Sequence, residues 1–180
     1  MTEDPTKLFQ KKYRIPSARL VGWNYASGGV YFVTVCTKGK AMWFGDVVDE
    51  EVVLNGVGEI VKEEWLQTAK VRPYVTLDAF VTMPNHIHGL IYIKDTLQME
   101  TSHRDVSTAQ GKLVPHSLGS IINQFKSICT KRIRPIGPDF AWQSRFHDRR
   151  VRSYDETIRI RKYITDNPLH WTLDELHPAS

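Results

Sequence analysis

The chain of 180 residues has no long apolar run and few cysteines. No apolar stretch approaches the ~20 residues that a transmembrane helix needs, so the sequence predicts neither a membrane span nor a membrane partner. Cys36 and Cys129 lie far apart and fit no zinc-ligand spacing, which excludes a disulfide framework and a zinc finger. The polar start of the chain lacks the apolar core of a secretory signal. These absences predict a cytoplasmic protein with reduced thiols.

The charge of the chain is mildly basic, with 24 Lys and Arg against 20 Asp and Glu and a net charge of +4. Positive residues gather at 11–14, 126–134 and 145–162, so phosphate contacts with a nucleic acid are one interpretation. A basic surface in contact only with solvent fits the numbers equally well. The candidate DNA contacts are Arg14, Lys126, Arg145, Arg149 and Arg150.

Two segments of low regularity divide the chain. Residues 1–28 mix basic and aromatic side chains without a period, which predicts an N-terminal arm that either grips DNA or packs irregularly. Residues from about 94 to 116 are polar and aperiodic, which predicts a mobile loop. Residues 29–180 are therefore expected to form one domain around this loop.

The remaining segments alternate between strand and helix patterns. Strands are predicted at 30–37, on both sides of the turn 83–85, and at 139–151. Helices are predicted from a cap at Asn55 to Lys70, from a cap at Ser117 or Ser120, and from the capping box at Ser153. A short hairpin fits 42–54. The order is that of a ferredoxin-like βαββαβ sandwich of the α+β class, with an antiparallel sheet, helices on one face and an added C-terminal helix.

The motif His86-Ile87-His88 begins the strand after the turn at 83–85. Alternate residues of a strand point to the same face, so both imidazoles project together while Ile87 points into the core. Two convergent imidazoles suit a divalent metal ion. On its own, however, a His-x-His pair more often consists of one packed and one solvated histidine.

Tyr163 and Asn167 lie one turn apart on the same face of the terminal helix. The tyrosine is a potential nucleophile, and the amide oxygen of Asn167 could complete a metal site with the two histidines. A metal with open positions could bind a scissile phosphodiester, and attack by tyrosine would store the bond in a covalent phosphotyrosine. On spacing alone, helix packing for Tyr163 and a helix stop for Asn167 are the better explanations.

These segments together resemble the HUH single-tyrosine transposases, most of all the branch associated with repetitive extragenic palindromes. The resemblance is carried by Met-Pro-Asn-His-Ile-His-Gly around His86 and His88 and by Arg-Lys-Tyr-Ile-Thr-Asp-Asn-Pro around Tyr163, and it covers about 14–171. It implies a ferredoxin-like enzyme that recognises hairpins in single-stranded DNA and uses Mg²⁺ or Mn²⁺. Tyr163 would form a 5′-phosphotyrosine and leave a free 3′-hydroxyl.

The resemblance also assigns the metal ligands, namely His86, His88 and Asn167. Insertion-sequence relatives commonly carry Gln at the third position, so the shorter Asn167 is a departure. The resemblance leaves open whether the protein is a monomer or a homodimer that exchanges its tyrosine helix. Two other functions fit the same residues: a domesticated, non-catalytic protein that binds nucleic-acid hairpins, and a metal-dependent nuclease that uses water instead of tyrosine.

Overall fold

The structure is a computed structural model that describes residues 28–95 and 115–178. The predicted N-terminal arm, its candidate DNA contact Arg14 and most of the predicted loop at 94–116 lie outside the described residues. The division into an arm and one catalytic domain therefore stays a prediction.

A four-stranded antiparallel sheet forms the centre of the fold. The elements are β1 (Gly29–Cys36), β2 (Gly45–Val48), β3 (Glu51–Leu54), α1 (Gly56–Lys70), β4 (Val75–Met83), β5 (His86–Ile93), α2 (Leu118–Ile133), β6 (His147–Val151) and α3 (Tyr154–Asp166). The sheet has the strand order β4-β5-β1-β6, and β2 and β3 form a separate hairpin. Every neighbouring pair is antiparallel. The predicted α+β class and antiparallel sheet are confirmed.

Helices α1 and α2 cover one face of the sheet, and the main hydrophobic core lies between them. Trp65 of α1 is fully buried there and packs edge-on against Phe125 of α2 at 5.4 Å between ring centroids. Its indole lies directly over β5 at Gly89, where an added Cβ would come within 2.4 Å of the ring. The glycine after the two histidines is therefore needed for the close approach of the tryptophan.

The opposite face of the sheet carries α3 and a much smaller core. Leu90, Val151 and Ile164 are its buried members, with partly buried neighbours from β1, β4 and α3. Because residues alternate along β5, Leu90 shares this face with His86 and His88. The added helix thus lies on the side of the sheet to which both histidines point.

The sequence signals for the helix starts are confirmed. The Asn55 side chain accepts hydrogen bonds from the backbone of Val57 and Gly58. Of the two candidates for α2, Ser117 is the cap, and its hydroxyl accepts from Ser120 N at 3.2 Å. Ser153 caps α3 by accepting from Glu156 N. These caps fix where each helix enters the sandwich.

The prediction of a strand over 139–151 is wrong for its first half. Only His147–Val151 pairs with β1, and before it a single bridge joins Trp142 to Thr37. The aromatic residues that suggested a strand instead turn into the core: Phe140 lies 6.1 Å and Trp142 5.5 Å from the ring of Phe44. The aromatic residues of this segment are therefore a sign of burial in the core and not of pairing with a neighbouring strand.

Candidate active site

The two histidines of β5 lie side by side beneath α3. In the sheet His86 is opposite Cys36 and His88 is opposite Thr34. The rings are 4.4 Å apart between centroids, and the exposed fractions of the residues are 0% and 3%. Phe32 stacks on His88 at 5.3 Å. The predicted shared orientation is thus present, and both rings are buried.

Asn85 determines which nitrogen of His86 carries the proton. Its amide Nδ2 donates to the carbonyls of Lys40 and Leu176 at 3.0 and 2.8 Å. Its Oδ1 therefore faces His86 Nδ1 at 2.8 Å as an acceptor, which places the ring hydrogen on Nδ1. The remaining nitrogen, Nε2, is buried without a hydrogen-bond partner among the described residues. A buried lone pair is thereby presented to the site.

His88 is held from both sides. Its Nδ1 lies 2.9 Å from the hydroxyl of Thr34, and its Nε2 lies 3.2 Å from the hydroxyl of Tyr163. Burial lowers the pKa of His86 to about 3. Burial, with a smaller contribution from His86, lowers the pKa of His88 to about 3 as well. Both rings are therefore neutral at pH 7, as metal coordination requires.

Tyr163 reaches this pair from α3 of the same chain. Its side chain is half-exposed, with 47% of the residue surface accessible, so solvent contacts the ring on one side. Burial of the other side, with Asp174 and Glu175 nearby, raises the pKa of Tyr163 above its ordinary value. No second chain is needed to bring the tyrosine to His88. Without an added cation its hydroxyl is protonated at neutral pH.

An ion pair fixes the tyrosine helix against the sheet. Arg161 donates from Nε to both carboxylate oxygens of Asp78, at 3.0 and 3.1 Å, and from Nη2 to one of them at 2.6 Å. Asp78 lies where the pairing of β4 with β5 is interrupted between Leu77 and Phe80. This irregularity lies in the edge strand β4. Asp78 binds Arg161, which is two residues before Tyr163 in the chain.

Asn167 is buried at the end of α3, with 3% of its surface exposed. Its Nδ2 donates to Asp174 Oδ2 at 3.1 Å, whereas its Oδ1 is buried without a partner among the described residues. The residue lies near enough to His86 to favour the protonated ring. In the neutral state two buried acceptors, His86 Nε2 and Asn167 Oδ1, therefore have no partner within residues 28–95 and 115–178, an arrangement that a cation would stabilise.

Asp174 completes a group that the sequence did not predict. One ligand atom each from His86, His88 and Asp174 lie within 4.8 Å of one another, so the group could hold a metal ion. After Asn167 the chain forms a 3₁₀-helix, Pro168–Leu173, and the aspartate directly follows this helix. No periodicity links this residue to the tyrosine, so only the folded chain brings it to the histidines.

The C-terminal segment is held on the site by several contacts. Trp171 packs against His86 at 6.0 Å between ring centroids. Lys40 Nζ donates to the carbonyl of Glu175 at 2.7 Å, and Asn85 binds the next carbonyl, that of Leu176. These contacts keep Asp174 beside the two histidines.

Four of the predicted DNA contacts lie within residues 28–95 and 115–178, on different elements of the fold. Lys126 is half-buried, binds the carbonyl of Gln143 and lines a cavity on α2. Arg149 lies on the α3 side of β6 and pairs with Glu156 at 2.6 Å, whereas Arg150 follows it on the alternate side of the strand. Arg145 is exposed before β6 begins.

A cavity of about 350 Å³ opens beside the tyrosine. Its lining combines apolar, aromatic, polar, acidic and basic side chains from β1, β6 and α3, namely Phe32, Thr34, His147, Asp148, Arg149, Ile160 and Tyr163. A substrate group in this cavity would lie against the tyrosine. Among residues 28–95 and 115–178, no helix is long and apolar enough to cross a bilayer.

Comparisons with known proteins agree with this architecture. No protein-family model matches the chain. An uncharacterized protein of Haemophilus influenzae (strain Rd) is 34% identical over 166 residues, which are 89% of this chain and 92% of that protein. A REP-associated tyrosine transposase, solved bound to a REP hairpin, superposes with a TM-score of 0.59 at 18% identity, covering 89% of this chain and 77% of that one. The chain therefore belongs to the family of the Haemophilus influenzae protein, and it has the tyrosine-transposase fold that its sequence predicted.

Proposed function

We propose that this protein is a metal-dependent transposase that cleaves and rejoins single-stranded DNA beside hairpins, with Tyr163 as the nucleophile. The observation that carries the proposal is the 3.2 Å approach of the Tyr163 hydroxyl to His88, inside a group of residues able to hold a metal. A structural tyrosine at this position would not need two buried, neutral imidazoles and a carboxylate beside its hydroxyl. The fold shared with a transposase bound to a REP hairpin supports the same substrate class.

The residues present fit a divalent cation. His86 Nε2 and Asn167 Oδ1 are buried acceptors with no hydrogen-bond partner in the described part of the chain, and Asp174 supplies a negative charge. We propose His86, His88 and Asp174 as ligands, with Asn167 holding Asp174 through Nδ2 and offering Oδ1 as a further ligand. Mg²⁺ and Mn²⁺ suit the oxygen donors of this group, and they are the ions that the family resemblance implies. When bound, the cation would polarise the scissile phosphate and offset developing charge.

The chemical step would proceed at the hydroxyl of Tyr163. Its oxygen attacks the phosphorus, the bond from phosphorus to the 3′-oxygen breaks, and a 5′-phosphotyrosine forms. The phenolic proton passes to solvent on the exposed side of the ring, and the departing 3′-oxygen takes up a proton. Rejoining is the reverse attack by a 3′-hydroxyl, which needs no further source of energy.

The decisive experiment looks for the covalent adduct. Protein is incubated with labelled hairpin oligonucleotides that carry randomised single-stranded flanks and with Mn²⁺ or Mg²⁺, and the products are separated under denaturing conditions. We expect an adduct from the wild type, none from Tyr163→Phe, and none from Asp174→Ala. Tyr154→Phe is the matched control, because Tyr154 lies on the same helix and is 73% exposed.

Other outcomes identify the two alternative functions. Cleavage without an adduct that persists in Tyr163→Phe would assign the protein as a nuclease that uses water. Hairpin binding without cleavage, unchanged in a His86→Ala/His88→Ala double variant, would assign it as a non-catalytic hairpin-binding protein. Either result would overturn the proposed role of Tyr163.

A further inference from the structure

A second cavity, of about 590 Å³, runs along the outer side of α2. The helix contributes residues spaced three and four apart, which form one continuous stripe: Asn123, Lys126, Ser127, Thr130, Lys131 and Arg134. The facing wall is formed by the irregular segment before β6, through Trp142, Gln143 and Ser144. We call this cavity the α2 groove.

The charge of the α2 groove is of one sign. Three of its lining residues are basic and none is acidic. Lys131 and Arg134 are exposed and form no ion pair within residues 28–95 and 115–178. The arginine between them behaves differently, because Arg132 binds Glu63 and Glu64 of α1 at 2.7 Å each. On the α1 side Arg132 is thus neutralised by acidic residues, whereas on the groove side Lys131 and Arg134 have no acidic partner among the described residues.

Cations near a helix C-terminus also stabilise the helix dipole, so charge alone would not define a site. The groove adds a concave shape, hydroxyl and amide donors, and an aromatic wall. Trp142 is partly exposed, and its indole Nε1 donates to the Lys126 carbonyl at 3.2 Å, which fixes the ring at the groove edge. Phosphate-binding cations next to a fixed aromatic side chain are typical of surfaces that bind single-stranded nucleic acids.

The α2 groove is connected to the candidate active site through the end of β1. Gln143 N donates to the carbonyl of Cys36 at 2.9 Å, and Cys36 is the partner of His86 in the sheet. Lys126 in turn binds the carbonyl of Gln143. The groove wall therefore begins one strand away from the metal-binding group, and a polymer bound at that group can continue around the sheet end into the groove.

We propose that the α2 groove binds the sugar-phosphate backbone of the single-stranded flank that continues from the scissile phosphate. The inference rests on the proposed function and adds a location for one part of the substrate. Lys131 and Arg134 contact phosphates, and Trp142 offers a face or edge to a base. Recognition by these groups is independent of sequence and depends on salt.

The test compares three hairpins in fluorescence anisotropy: one without a tail, one with a single-stranded tail at either foot, and one with a double-stranded tail of the same length. EDTA is present, so no cleavage intervenes. We expect the wild type to bind the tailed hairpin more tightly and Lys131→Ala/Arg134→Ala to lose this preference, on the order of tenfold in affinity near 0.1 M salt. The slope of log K against log[salt] should fall by about 1.4, since each single-strand phosphate contact contributes about 0.7.

The matched control also removes two positive charges, but from α1. Lys62→Ala/Lys70→Ala should retain the tail preference and the salt slope, and Ser127→Glu, which adds an acidic group to the groove, should reduce both. An unchanged tail preference in Lys131→Ala/Arg134→Ala would overturn the inference, as would an equal gain from a double-stranded tail. If the wild type forms no adduct at Tyr163 but still prefers the tailed hairpin, the proposed function is refuted and the inference about the α2 groove is not.

Discussion

Asn85 offers the most informative single substitution, because one side chain supports both the fold and the site. It is 1% exposed and makes three hydrogen bonds: to Lys40 O, to Leu176 O and with His86 Nδ1. Asn85→Ala removes all three at once. The two carbonyls lie in partly exposed residues and regain water in part, whereas the Nδ1–H of His86 stays buried without an acceptor.

The cost follows from these contacts. Each buried group left unpaired costs about 1–3 kcal/mol, so with water compensating at the carbonyls we expect a loss of about 3 kcal/mol in the free energy of unfolding. For a chain of this size that corresponds to a fall of roughly 6–12 °C in Tm. Metal binding should weaken by about 10–100-fold, because the substitution removes the acceptor that fixes the His86 tautomer and releases the segment that carries Asp174.

Two measurements separate these effects, namely thermal unfolding by circular dichroism and calorimetric titration with Mn²⁺. Asn55→Ala is the matched control, because the Asn55 side chain also binds the backbone, where it accepts from Val57 N and Gly58 N, but it lies at the start of α1. It should cost about 1 kcal/mol as a lost helix cap and leave the metal affinity unchanged. If Asn85→Ala binds Mn²⁺ as tightly as Asn55→Ala does, the inferred tautomer and ligand set are refuted.

Three further predictions test other contacts. Tyr163→Phe should bind Mn²⁺ about 2–10-fold more tightly than the wild type by calorimetry, because the hydroxyl competes for His88 Nε2 with a hydrogen bond worth about 0.5–1.5 kcal/mol; weaker binding would contradict this. Gly89→Ala should lose about 1–3 kcal/mol in urea unfolding, since its methyl group overlaps the ring of Trp65, and wild-type stability would show that the ring moves freely. Asp78→Asn should cost under about 1 kcal/mol at pH 7, because the ion pair is partly exposed. Arg161 lowers the pKa of Asp78, so the ion pair stabilises the fold above the ordinary carboxyl pKa, and this stabilisation is lost as the pH falls through the lowered pKa. In acid the stabilities of Asp78→Asn and the wild type should therefore converge, and a difference that persists in acid would contradict the assignment.

The parts of the site that the sequence predicted are those encoded by local periodicity. His86 and His88 occupy alternate positions of an evident strand, and Tyr163 follows a capping box on an evident helix. Each signal spans only a few residues. Strand geometry alone therefore predicted that His86 and His88 share a face, and helix geometry predicted the same for Tyr163 and Asn167. That strand and helix meet is a tertiary fact, so residue spacing could only raise it as one arrangement, and the family resemblance made it a prediction.

The parts that sequence reasoning missed depend on contacts between distant or irregular segments. Helix α3 ends at Asp166, as Asn167-Pro168 predicted. Asp174 lies beyond it, after a separate 3₁₀-helix, Pro168–Leu173, that the sequence did not predict. A proline is compatible with the first turn of a new helix, so it did not redirect the chain. The strand predicted from residue 139 was wrong because Phe140 and Trp142 are core residues in an irregular path, and β-propensity does not distinguish the two.

The unequal cores on the two faces of the sheet have a consequence for hydrogen exchange. The α1 and α2 side holds most of the buried apolar residues, whereas α3 rests on Leu90, Val151 and Ile164 together with the Asp78–Arg161 pair. Helix α3 can therefore open at a smaller free-energy cost than the sheet, and its amide protons should exchange before those of β1 and β5. The tyrosine thus lies on an element that we expect to open before the sheet that carries the histidines, so a ligand that bridges them should slow exchange throughout α3.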